Sequence, residues 1–137
     1  MKTLLSILVL SCVCVARSAA ATANDPVAGL PIAPGFEKTG DPIQSYKFCG
    51  KSARSVTYMG NGSEDSDHEN TWYAHAMPNA RVFTAVGGVK TFITPDGTAA
   101  VETAGVVISF LRFSPGLSLT QMKILGAAPA SKSCTAE

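Results

Sequence analysis

The sequence predicts a mainly β fold of one domain, either a small antiparallel β-sandwich or a partly closed β-barrel. From Ser45 onward the chain is rich in valine, isoleucine, threonine and aromatic residues, and glycine, proline and asparagine interrupt the apolar runs at short intervals. Long stretches with the apolar period of about 3.6 residues that an amphipathic helix requires are lacking. Residues 24–137, about 114 in number, suffice for one domain with a buried core.

Seven segments have the composition of strands. They are, in chain order, Ser45–Cys49, Ser55–Met59, Thr71–Met77, Arg81–Val86, Val89–Ile93, Thr98–Phe113 and Leu119–Leu125. Gly87-Gly88 predicts a two-residue hairpin, since glycine tolerates positive φ at both positions. Pro95 and Gly97 predict a second turn, in which proline fixes φ and glycine closes the reversal. Three consecutive strands are therefore expected to form a meander.

The run Thr98–Phe113 is predicted to be a central strand. Both of its alternating faces are largely apolar, and charged residues are sparse along it, which is typical of a strand covered on both sides. Gly105 in its middle predicts a bulge or bend that lets the sheet curl into a sandwich or barrel. A helix is the competing interpretation, and β-branched residues and the glycine disfavour it.

The N-terminus has the composition of a secretory signal peptide. A basic residue precedes an apolar run of about 13 residues from Leu4 to Ala16, shorter than the roughly 20 residues of a membrane span. Small residues permit cleavage after Ala20 or Ala23, and we take residues 1–23 as the signal peptide. The chain is therefore expected to be secreted and to act outside the cell, or inside a host to which it is delivered.

Residues 24–44 are expected to be an extended lead-in to the domain. They contain several prolines and glycines and show hardly any hydrophobic periodicity. The β domain is then expected to occupy residues 45–137.

Cysteine usage predicts one disulfide, between Cys49 and Cys134. Cys12 and Cys14 lie in the predicted signal peptide, and Cys12 as a lipoprotein anchor is disfavoured by the bulky Leu10. Two remaining thiols in an oxidising compartment favour a bridge. The bridge would enclose 84 residues, which on the chain-entropy estimate contributes about 4 to 5 kcal/mol.

The charge balance disfavours nucleic acid as a partner. Removal of residues 1–23 leaves nine of 11 basic side chains beside ten acidic ones, a formal charge of −1. The basic residues are scattered singly, whereas phosphate binding requires a cluster. No later apolar run is long enough for a membrane span, so no membrane insertion is expected.

The densest polar segment, residues 63–70, is predicted to be a solvated acidic loop. Asp65, Asp67 and Glu69 alternate as at the start of an EF-hand loop, but the required glycine and the final bidentate glutamate are missing. His68-Glu69 begins like a zinc-binding H-E-x-x-H motif, yet Trp72 stands where the second histidine must be. The sequence therefore predicts no metal and no cofactor.

A candidate binding surface combines this acidic loop with the residues that follow it. Asn61 begins an Asn-Gly-Ser sequon, which predicts either a glycosylation site or a tight turn. Alternation would place Tyr73 and His75 on one strand face and Trp72 on the other. Aromatic residues beside acids can line a peptide or glycan groove, so Trp72, Tyr73, His75, Asp65, Asp67 and Glu69 are the candidate binding residues.

These observations favour a binding protein over an enzyme. The sequence contains no nucleophile elbow, no glycine motif for phosphates or dinucleotides and no zinc-finger spacing. We expect a secreted, disulfide-bonded protein that binds an extracellular or host protein, in its sharpest form a pathogen effector that acts in virulence. Two alternatives stay open: a β-barrel that carries a small apolar ligand, and a secreted hydrolase or carbohydrate-active domain that uses His75 and nearby acids.

Overall fold

The structure, a computed structural model, describes residues 23–60 and 68–127. Within these ranges the chain forms seven strands and two helices. In chain order they are β1 (Phe36–Lys38), β2 (Gln44–Phe48), β3 (Lys51–Gly60), α1 (His68–Ala76), β4 (Arg81–Thr84), β5 (Lys90–Ile93), β6 (Ala99–Ala104), β7 (Val107–Ser114) and α2 (Leu119–Ala127). The prediction of a mainly β protein is confirmed.

The strands form one antiparallel sheet in the order β1-β3-β7-β6-β5-β4, and β2 also pairs with β3. The long strand β3 pairs on one side with β2 and then β1, and on its other side with β7. The edge strand β4 does not pair with β1 or β2, so the sheet is not closed into a barrel. A sandwich is wrong too, because helices rather than a second sheet cover this one. The predicted meander is confirmed and runs from β4 to β7.

Gly105 is a chain reversal rather than a bulge. It has a φ of 63°, and Ala104 is the register partner of Val107, so Gly105 and Val106 form a two-residue hairpin turn with glycine first. The predicted central strand therefore becomes two neighbouring strands, β6 and β7. The prediction that both faces are buried holds, since five of the six residues of β6 are buried.

Two predicted strands, Thr71–Met77 and Leu119–Leu125, are helices. In α1 the buried residues Glu69 and Tyr73 are four positions apart, which is the spacing of one helical face, and Pro78 follows the last turn. In α2 the Ser118 hydroxyl accepts a hydrogen bond from the Gln121 amide (3.3 Å), and the Gln121 side chain accepts one from the Ser118 amide (3.0 Å). This reciprocal capping starts a helix where composition suggested a strand.

Two separate hydrophobic cores lie on the two faces of the sheet. On one face α1 and residues 27–33 cover Val56, Val101 and Phe110. On the other face α2 covers Ile93 and Leu111. We call these the α1 face and the α2 face. The interior is thus helix, sheet and helix in three layers, and side chains of the chain itself fill both faces.

Part of the N-terminal segment, residues 24–44, packs on the sheet. Its apolar side chains Val27, Ala28, Leu30 and Ala33 are buried in the α1-face core. The carboxylate of Asp25 accepts hydrogen bonds from the Ala28 amide (2.6 Å) and from the Tyr58 hydroxyl (3.2 Å). Burial and hydrogen bonding therefore hold residues 25–33 against the α1 face.

Within residues 23–60 and 68–127, the structure has no helix that is both long and apolar enough to span a membrane.

Candidate functional site

The helix α1 separates the aromatic residues that the sequence grouped as a binding surface. Tyr73 is fully buried, and its hydroxyl donates to the Pro31 carbonyl (2.9 Å) and accepts from the Ala33 amide (3.1 Å). Trp72 is half-buried against the core, with its ring centroid 4.8 Å from that of Tyr73. Tyr73 therefore holds the N-terminal segment to the sheet and is not accessible to a partner.

Of the acids near His75 in sequence, Glu69 does not share a surface with it, and Asp67 lies outside the described residues. Glu69 is 3% exposed in the first turn of α1, where the helix dipole favours a carboxylate. His75 is exposed six residues later, and its Nδ1–H donates to the Thr71 carbonyl (2.9 Å). Six residues in a helix place two side chains about 120° apart around the axis. Glu69 faces the interior and His75 faces solvent.

The remaining predicted site residues lie largely outside the described part of the chain. Asn61, Asp65, Asp67 and Cys134 belong to ranges that the structure does not describe, so their roles stay predictions. Cys49 is buried in the α2-face core.

Aromatic side chains do not form an exposed patch anywhere on this protein. All ten of them lie in the described ranges, and each is buried or half-buried. The large exposed apolar residues of these ranges are aliphatic. Three of them, Met59, Val86 and Val106, lie at one end of the sheet.

We call this end the turn end. It comprises the last residues of β3, the β4–β5 turn and the β6–β7 turn. Met59 is the register partner of Val107, and the Gly60 amide donates to the Val106 carbonyl (2.7 Å). Met59 and Val106 are therefore neighbours, with 49% and 42% of their surfaces exposed. Val86 is fully exposed at the tip of the β4–β5 turn.

A cavity of about 450 Å³ lies between the two turns. Glycines from both turns line it, namely Gly87, Gly88 and Gly105, with φ values of 97°, 84° and 63°. Because these glycines have no Cβ, the peptide groups are accessible and the cavity stays open. Its side wall is formed by Thr103 of β6, whose hydroxyl donates to the side-chain oxygen of Asn70 in α1.

The cavity presents hydrogen-bonding groups to a ligand. Its described lining consists of glycine, valine, alanine, threonine and asparagine, which supply amides and a hydroxyl. Within residues 23–60 and 68–127 no three His, Cys, Asp or Glu side chains gather as a metal site would require.

The tyrosines of the described ranges have perturbed pKa values because they take part in the packing of the fold. Burial, with a smaller contribution from the charge of Glu102, raises the pKa of Tyr46 to about 12. Burial also raises the pKa of Tyr73 and of Tyr58, and the carboxylate of Asp25 adds to both shifts. These shifts come from packing and from hydrogen bonds that hold the fold.

Sequence reasoning missed Met59, Val86 and Val106. For Val86 and Val106 the sequence contains a local signal. Gly87-Gly88 marks a hairpin whose tip exposes Val86, and Gly105 marks the turn that contains Val106. Val106 was assigned to the interior of a long strand, and the hairpin at Gly105 moves it to a turn. The exposure of Met59 depends on the end of β3 and has no local signal.

Comparison with known proteins gives no relative for this chain: no family model, no curated protein and no solved structure matches it.

Proposed function

We propose that this protein is a secreted binding protein that recognises an extracellular or host protein through its turn end. The observation that carries the proposal is the grouping of Met59, Val86 and Val106 at one end of the sheet. Apolar side chains that are exposed together, rather than scattered, mark interaction surfaces. Burial of the fully exposed Val86 against a partner would contribute about 1.5 to 3 kcal/mol, and burial of Met59 and Val106, which are already half-buried, would contribute about half as much each.

The rest of the turn end suits this role. The glycine-lined cavity between the turns can accept a protruding side chain of the partner, and its amides can hydrogen-bond the partner's backbone. Gly60 and Asn70 also lie here, since Gly60 bonds to Val106 and Asn70 bonds to Thr103. An effector role in virulence is the sharpest form of the proposal, which keeps Asn61 as a predicted glycosylation site.

The proposal includes the Cys49–Cys134 disulfide. Cys49 shares the α2-face core with Met122 and Leu125 of α2. Seven residues lead from Ala127 to Cys134, and an extended chain of that length reaches about 24 Å. The four strand spacings between β5 and β2 amount to about 19 Å. The bridge is therefore within reach, and intact mass with and without reductant tests it.

The alternatives gain no specific support. An apolar carrier needs an interior cavity, whereas the sheet is open and core side chains fill both faces. A hydrolase needs histidine and carboxylates at one place, and His75 and Glu69 lie in different surroundings.

The test compares the wild type with a Val86→Asp, Val106→Asp variant. Both positions are in turns, where aspartate is tolerated, so the fold is retained while two apolar contacts become charged. The control is Leu119→Asp, which removes a side chain of similar exposure, 46%, at the N-terminus of α2. An acidic residue is favourable there.

Pull-downs from host or surface extracts, followed by titration calorimetry with the purified captured protein, give the readout. We expect the wild type and Leu119→Asp to bind one protein with equal affinity, and the double variant to bind it at least tenfold more weakly. Equal binding by all three proteins would show that the surface lies elsewhere. A wild type that captures nothing specific would contradict the binding function itself.

A further inference from the structure

The strand β4 has one edge without a partner strand in the described structure. It is the last strand of the sheet and pairs with β5. Three of its four residues are exposed. The opposite edge of the sheet is formed by β1 and β2, which pair with different parts of β3. The sheet therefore has β4 alone at one edge and two strands, β1 and β2, at the other.

The register shows which backbone groups of β4 face outward. The Ala85 amide donates to the Val89 carbonyl (2.8 Å), so Ala85 and Val89 are a hydrogen-bonded pair. Pairs alternate along an antiparallel ladder, so Phe83 and Arg81 also bond to β5. Val82 and Thr84 lie between them and direct their amides and carbonyls away from β5. Two amides and two carbonyls are therefore available to an added strand.

The open edge lacks two of the features that prevent strand addition in native proteins, proline and a bulge. β4 reads Arg-Val-Phe-Thr, so it is short and carries one charge, that of Arg81. Its inner side is fixed by α2, because Gly126 packs directly on the Phe83 ring. An incoming strand would not have to displace that helix.

Among the described residues, three basic side chains lie around β4, and the buried Glu102 lies two strands away on β6. Arg81 is exposed on β4, Lys90 stands opposite Thr84 on β5, and Lys123 is exposed on α2, which packs on β4 and β5. The exposed carboxylate of the nearby β5–β6 turn, Asp96, is engaged by Thr94 and Thr98. A second copy of the chain would bring like charges together, which is unfavourable across paired strands. An acidic partner would be attracted.

We infer that the open edge of β4 binds an extended acidic segment of a partner protein by strand addition. The added strand would bond to the amides and carbonyls of Val82 and Thr84, and its carboxylates would lie on the α2 face near Arg81 and Lys123. Val82, 48% exposed, would pack against apolar residues that alternate with the acidic ones. The inference extends the proposed binding function to a surface adjoining the turn end, and it can fail while the turn end still binds.

The probe is a synthetic peptide of about six residues, the usual length of a strand, that alternates glutamate with valine. It is titrated into the isotope-labelled protein and followed by amide NMR. We expect the Val82 and Thr84 amides to shift and their hydrogen exchange to slow at least tenfold at saturation. A peptide with lysine in place of glutamate is expected to bind at least tenfold more weakly.

Thr84→Pro is the test variant, because it removes an outward amide that makes no bond to β5. Thr84→Val keeps the amide and is the matched control. We expect Thr84→Pro to lose at least tenfold in affinity and Thr84→Val to bind as the wild type does. If Thr84→Pro does not fold, a peptide that is N-methylated at alternate residues tests strand pairing with the wild-type protein, because it lacks the amides that would bond to β4.

Three results would overturn the inference. Equal binding of the acidic and lysine peptides would show that charge does not contribute to binding. Equal binding by Thr84→Pro, or by the N-methylated peptide, would show that the peptide does not bind by strand pairing. Broadening of the Val82 and Thr84 signals with protein concentration, without peptide, would show that a second copy occupies the edge.

Discussion

Replacement of Tyr73 by phenylalanine tests whether the N-terminal segment belongs to the fold. The Tyr73 hydroxyl makes two hydrogen bonds to this segment, to the Pro31 carbonyl and to the Ala33 amide. Phenylalanine keeps the ring and its packing against Phe92 and Phe110. The substitution therefore removes the hydrogen bonds and leaves the hydrophobic contacts unchanged.

The expected loss of stability depends on the backbone group that each hydrogen bond leaves without a partner. The Ala33 amide belongs to a residue that is 1% exposed, and a buried donor without a partner costs about 1 to 3 kcal/mol. The Pro31 carbonyl belongs to a half-buried residue, where water can replace the lost donor, and that bond contributes about 0.5 to 1.5 kcal/mol. We expect the free energy of unfolding to fall by about 2 to 3 kcal/mol.

Urea unfolding followed by circular dichroism measures this change. The single tryptophan, Trp72, is adjacent to the mutated ring and reports the same transition by fluorescence. The melting temperature should fall by roughly 8 to 24 °C, since about 1 kcal/mol corresponds to about 4 to 8 °C in a domain of this size. Ser45→Ala, which removes an exposed hydroxyl on β2, is the control and should change stability by less than about 0.5 kcal/mol.

Hydrogen exchange then locates the effect. The amides of Asp25 and Gly29 are bonded within the N-terminal segment, and they should exchange faster in Tyr73→Phe than amides of β3 and β7 do. A stability change as small as that of Ser45→Ala, with unchanged exchange at these two amides, would refute this reasoning. It would mean that the segment is the loose lead-in which its composition suggests.

Three further predictions concern titration, close packing and a turn. The three tyrosines have raised pKa values, that of Tyr46 to about 12, so phenolate absorbance should develop above pH 10 in the native protein and near pH 10 in guanidinium. Because folding raises these pKa values, stability is full below pH 10 and should fall as the pH rises through about 12. Gly116→Ala would place a Cβ against the Asp96 carbonyl, and in urea unfolding it should lower the free energy of unfolding by about 1 to 3 kcal/mol. The control Gly40→Ala places its Cβ near no other atom and should be neutral or mildly stabilising in the same assay. Hydrogen bonds from Thr94 and then Thr98 lower the pKa of Asp96 to about 2, so its contribution to stability is present above pH 4 and lost towards pH 2; acid unfolding of Asp96→Asn should lack this dependence.

Much of the strand pattern could be predicted from the sequence because its signals are local. Gly87, Gly88 and Gly97 have the positive φ values that their turns require, so the hairpins follow from residues within a few positions. The burial of β6 and β7 follows from composition, because a run with so few charges has no face suited to water. The mainly β class and the meander needed no knowledge of distant contacts.

The helices could not be predicted in this way. The segment that forms α1 has only nine residues, and over so short a length alternating and helical patterns are hard to distinguish. The choice is made by contacts with distant parts of the chain: Tyr73 reaches Pro31 and Ala33, and Asn70 bonds to Thr103. Tertiary packing therefore overrides a weak local preference.

The candidate site shows the same division between local and distant causes. The sequence by itself determined the turns at Gly87-Gly88 and Gly97 and the apolar character of β6 and β7. Only the tertiary structure decided that Met59, Val86 and Val106 lie at one end of the sheet and that the outer edge of β4 has no strand neighbour in the described residues. These properties depend on the order of strands, which is set by hydrogen bonds and core burial between residues far apart in sequence, and no short window of sequence contains them.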